Sequence, residues 1–113
     1  GYLECRHIGS LVRTMIHETL DAFAHFDAEQ AFKVMKADAE IDLEYRTATR
    51  ALVTYMMEDP RAISRVLSVM GVLRSLERMG DHARNIAEQL IFLVKGADVR
   101  HVSYEQVQQK LES

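Results

Sequence analysis

The chain has 113 residues, 48% of them hydrophobic, which is enough to bury one core and too little for two. Its 14 Lys+Arg stand against 17 Asp+Glu, a formal net charge of −3, so it carries no basic field and nucleic acid is not among its expected partners. A single cysteine, Cys5, rules out an internal disulfide and the usual thiolate zinc sites and fits a reducing, cytoplasmic setting. No apolar run reaches the roughly 18–20 residues of a membrane span, so membrane contact is expected only through partners. The start, Gly1-Tyr2-Leu3-Glu4, has neither a leader pattern nor an initiator methionine, and the sequence reads as a piece of something longer.

With one proline and five glycines, the chain offers no linker, and residues 1–113 are expected to form one domain. Ile8, Leu11, Val12, Met15, Ile16, Ala22, Phe23 and Phe26 follow helical spacing and predict a first helix to about Phe26. Asp27 with Gln30 three residues on has the form of a capping box and opens a second helix. Its stripe runs through Ala31, Val34, Met35, positions 38, 41, 42, 45, 48 and 49, then Leu52, Val53 and Met56. Asp59-Pro60 repeats the start signal, because Asp accepts from first-turn amides and Pro at the first helical position forfeits no hydrogen bond. The third helix is expected from Pro60 through Ile63, Val66, Leu67, Met70, Leu73, Leu76, Ala83, Ala87, Leu90, Ile91 and Val94 to Lys95-Gly96. Ser103 with Gln106 suggests a short final helix. Long helices with near-zero connections must alternate in direction, so the predicted fold is all-α, an antiparallel three-helix bundle.

Two acids stand where apolar residues belong. On a helical wheel Asp38 and Asp42 lie within about 20° of the centre of the second stripe. Folding the second and third helices about Asp59-Pro60 brings residues equidistant from that turn to equal heights, 38 with 81 and 42 with 77. Asp38, Asp42, Glu77 and Asp81 should then meet roughly 26–33 Å from the turn, at about 1.5 Å per residue. Left uncompensated, the four carboxylates would cost several kcal/mol. The offset can come from a salt-bridged seam with Arg74, Arg78 or Arg84, from protonation, or from bound cations with hard oxygen ligands. A catalytic carboxylate pair is a further reading of the same residues.

The run Leu76-Glu77-Arg78-Met79-Gly80-Asp81-His82-Ala83-Arg84-Asn85-Ile86 resembles the motif of the PhoU family, regulators of bacterial phosphate uptake. Two acidic E/DxxxD pairs are present, Asp38 with Asp42 and Glu77 with Asp81. Leu20-Asp21-Ala22-Phe23, Asp42-Leu43-Glu44-Tyr45, the stretch from Leu52 to Asp59, Val94-Lys95-Gly96 and Arg100-His101-Val102 support the match. Family members usually carry two three-helix bundles, and this chain resembles the C-terminal half. The resemblance implies a cytoplasmic, non-enzymatic negative regulator of the phosphate regulon. It would act with the phosphate ABC transporter, through its ATP-binding subunit, and with a sensor histidine kinase, and would form a homodimer. It also implies a multinuclear metal cluster, of iron or zinc, with magnesium or another divalent ion as further choices. By carry-over the ligands are Asp38, Asp42, Glu77 and Asp81.

Other residues carry blander readings. His17-Glu18 has the look of a phosphoacceptor step, which would make the chain a phosphotransfer domain. The position five residues on, where such kinases place proline, is Ala22. Glu4 and His7 have the spacing of half a di-iron motif, and a second such motif is lacking. His82 points away from Asp81 on the wheel, and Met15, Met35, Met56 and Met70 belong to the core stripes. Gly80 inside a helix costs about 1 kcal/mol relative to Ala, which close approach of a backbone or cluster, or tight helix packing, would explain.

Overall fold

The computed structural model describes residues 2–96 together with Gln108 and Gln109. Helix α1 (Tyr2–Ala24) is followed by α2 (Ala28–Glu58), a 3-10 turn (Pro60–Ala62) and α3 (Ile63–Lys95). Each helix packs on the other two, giving the expected antiparallel bundle, 55 × 25 × 16 Å in extent. The final helix expected at Ser103 lies outside the described residues except for Gln108 and Gln109, which are helical.

Local chemistry fixes the ends. Helix α1 stops at Ala24, two residues short of the expected Phe26, because Phe26 takes a left-handed φ of 50°. The Phe26 amide then donates to the Phe23 carbonyl and the Asp27 amide to the Ala22 carbonyl, at 3.3 and 2.9 Å. That pair of bonds closes the last turn as a left-handed cap usually made by glycine. Asp27 caps α2, its Oδ1 accepting from the Gln30 amide at 3.0 Å. The reciprocal arm of the box does not form, since the Asp27 amide is already spent on Ala22. Gln30 Nε2 donates to Asp21 Oδ2 instead, at 3.1 Å. At the second turn Asp59 Oδ1 accepts from the Arg61 amide at 3.1 Å, and the α-helix proper begins three residues after Pro60. Gly96, at φ 68°, ends α3 with its amide on the Phe92 carbonyl.

The buried stripes alternate steps of three and four: Cys5, Ile8, Val12, Met15, Thr19 and Ala22 on α1, Ala31, Val34, Asp38, Ile41, Tyr45, Ala48 and Leu52 on α2, and Val66, Val69, Leu73, Leu76, Gly80, Ala83, Ala87 and Leu90 on α3. A repeat of 3.5 residues describes a narrow coiled-coil seam rather than a broad helical face. That explains which expected core residues stay out. Phe23, Phe26, Val53, Ile63, Leu67 and Val94 are exposed, while Phe32 and Val69, absent from the expected stripes, are buried. Phe23 and Phe26 stack on each other, ring centroids 6.0 Å apart. Among the described residues no helix is long and apolar enough to cross a membrane.

Candidate metal centre

Asp38 occupies a seam position of α2 that would otherwise hold a residue like Ile41 or Val34, and it is 1% exposed. The space it fills is made by its neighbours. A Cβ on Gly80 would stand 3.4 Å from Asp38 Oδ1 and 3.9 Å from Met15 Sδ, so Met15, Asp38 and Gly80 form one core layer and glycine leaves the room the carboxylate takes. A Cβ there would sit at the near limit of ordinary contact, so glycine eases the packing against Asp38 without being required by it.

One helical turn along α2, Asp42 is half-buried at the edge of the seam, and Asp81, next to Gly80, is exposed. Each of Asp38, Asp42 and Asp81 offers a carboxylate oxygen within 4.8 Å of the other two. Glu77, the fourth expected ligand, is half-buried outside that set of three, although the charges of Asp81 and Asp42 both act on it. Two facing helices thus bring three of the four carboxylates together.

The electrostatics are those of a crowded acidic site. Burial, then the Asp42 charge, pushes the Asp38 carboxyl up from its ordinary 3.8 to about 6, against the pull of Arg84. Burial and Asp81 raise Asp42, opposed by Arg84 and Arg46. Burial, Asp81 and Asp42 raise Glu77. Of the three arginines considered, Arg84 reaches the seam: its Nη1 donates to Asp38 Oδ2 at 3.3 Å and its Nε to Glu88 Oε1 at 2.9 Å. Arg74 and Arg78 are exposed. Glu88, absent from the candidate residues of the sequence analysis, is buried. Its spacing four residues after Arg84, beside the seam residue Ala87, was the available signal.

Three hard oxygen donors this close suit a divalent cation, because ligands about 2.0–2.6 Å from one ion stand within such distances of each other. The remaining candidates do not join them. His17 and His82 are exposed, and His7 lies 3.2 Å from Glu44 Oε1 on α2, away from the acidic group.

An antiparallel three-helix seam interrupted by paired acids on two facing helices defines a helical module with a carboxylate centre. Residues 5–90 match the PhoU domain. The whole chain is 60% identical to a phosphate-specific transport system accessory protein PhoU homolog of Pseudomonas aeruginosa, covering 47% of that protein. It is 43% identical over 97 residues to the corresponding accessory protein PhoU of Escherichia coli, covering 86% of this chain and 40% of the relative. The crystal structure of PhoU from Pseudomonas aeruginosa superposes with a TM-score of 0.84 at 65% identity, over 86% of this chain and 46% of the other. The chain belongs to the PhoU family, and it spans about half the length of the curated relatives it matches.

Proposed function

We propose that the chain is a metal-holding half of a regulator of phosphate uptake, a single PhoU-like module without catalytic turnover. The observation that carries the reading is the convergence of Asp38, Asp42 and Asp81 from two facing helices, in a chain whose relatives are named accessory proteins of the phosphate-specific transport system. Glu77 joins them as the fourth acid, close enough for the charges of Asp42 and Asp81 to act on it. A bound divalent ion would neutralise the carboxylates and lock α2 to α3. Asp38 would be the inner ligand, Asp42 and Asp81 the outer pair, and Glu77 a donor able to bridge a second ion in a multinuclear cluster. Iron or zinc is the proposed metal, with magnesium as the hard-ion alternative.

In this reading the whole protein works in the cytoplasm as a homodimer, restraining the phosphate response through the ATP-binding subunit of the phosphate transporter and a sensor histidine kinase. The surface outside the seam would serve those partners. A purely structural, salt-bridged seam is the second reading, favoured by the contacts of Arg84 with Asp38 and Glu88.

Elemental analysis of the purified chain separates the two when it is run beside a variant carrying Asp38→Asn, Asp42→Asn, Glu77→Gln and Asp81→Asn. Stoichiometric metal in the parent and none in the variant supports the metal reading. A metal-free parent whose melt ignores chelator leaves the structural seam.

A further inference from the structure

Asp38 sits between Gly80 and Arg84. One oxygen lies 3.4 Å from where a Cβ on Gly80 would stand, and the other accepts from Arg84 Nη1 at 3.3 Å. The same guanidinium makes a shorter bond, 2.9 Å, to Glu88, whose side chain is only 6% exposed. Arg84 is thus anchored on Glu88 and reaches across to Asp38. Its own side chain is 33% exposed, so it can withdraw toward solvent without opening the core. Its positive charge is felt at Asp42 as well as at Asp38, two of the three converged acids.

We propose that Arg84 is the internal counter-ion of the acidic centre, holding Asp38 when metal is absent and competing with divalent cations for that carboxylate. The proposal rests on the metal reading above. Two cations drawn to one buried carboxylate repel each other, so Arg84 sets a threshold that a metal ion must overcome. Anchorage on Glu88 makes the exchange possible: the guanidinium keeps a charged partner when Asp38 turns to the metal. An arginine that merely supported the site would weaken metal binding when removed. A competing one tightens it.

The test is calorimetric titration of the metal-free chain with manganese(II), for the parent, for Arg84→Met, and for Arg84→Met combined with Glu88→Gln. The double variant removes the carboxylate that the single change leaves buried and unpaired, which protects folding and denies the metal a substitute ligand. About tenfold tighter binding is expected in both variants, with a lower metal-free melting temperature for Arg84→Met. Equal or weaker binding in folded variants overturns the proposal while leaving the metal reading intact. Binding by the variants with none by the parent supports the competition and puts the parent's affinity below the titrated range. Binding by none of the three removes both.

Discussion

The seam between α2 and α3 differs along its length. Toward the Asp59-Pro60 turn it is apolar, built from Ala48, Leu52, Val66, Val69 and Leu73. Farther along, the same repeat carries Asp38 against Gly80, with Asp42 and Asp81 at its edge. The geometry is continuous, so the contrast lies in the side chains. An apolar residue at 38 would add burial on the order of 2 kcal/mol, whereas a carboxylate there is desolvated and leans on Arg84. One end of the seam stabilises the fold, and the other gives up stability to keep a place for positive charge.

Changes in the apolar end should have the largest effect. Leu73 is fully buried, and Leu73→Ala is expected to destabilise the chain by about 2–5 kcal/mol in a denaturant melt, without changing metal binding beyond that loss. In the charged end the sign should reverse. Neutralising Asp38, Asp42, Glu77 and Asp81 together should stabilise the metal-free chain by about 2–4 kcal/mol, because the repulsion and the desolvated charge both go. A metal-free variant less stable than the parent would erase the contrast between the two ends.

A pH series sharpens it. The folded pKa of Asp38, about 6, lies above its ordinary 3.8, so between those values the native state binds more protons than the unfolded chain. This group's stabilising contribution is full below the lower value and is lost as pH rises through the folded one. Relative to Asp38→Asn, the metal-free parent should lose on the order of 1–3 kcal/mol between pH 4.5 and 7.5. Saturating metal should oppose that trend, since it requires the ionised carboxylate. The smallest effect is expected for Gly80→Ala, where a gain in helix propensity of about 1 kcal/mol offsets crowding of Asp38. Stability should stay within about 0.5 kcal/mol of the parent while metal affinity falls.

The bundle was legible because apolar periodicity, the caps at Asp27 and Asp59, and the Lys95-Gly96 stop agree with one another. The pairing of 38 with 81 followed from the turn position alone. What the wheel blurred was the width of the stripe. A 3.6-residue face put Asp38 and Asp42 on an equal footing and drew Ile63 and Leu67 inward. The 3.5-residue seam buries Asp38, leaves Asp42 at the edge and turns Ile63 and Leu67 to solvent. Glu88 was missed because apolar periodicity does not mark a buried carboxylate; the mark was its spacing four residues after Arg84. The exposure of Phe26 depends on a left-handed turn made without glycine, which composition does not announce.

A metal ion is proposed to sit at the charged end of the seam. Anomalous diffraction from crystals grown with iron(II) or zinc, recorded on either side of the metal's absorption edge, tests it directly. A metal-holding seam gives a peak within about 2.0–2.6 Å of carboxylate oxygens of Asp38, Asp42 and Asp81, lost in the amide variant. A seam without a peak, with Arg84 still on Asp38, would contradict the proposal.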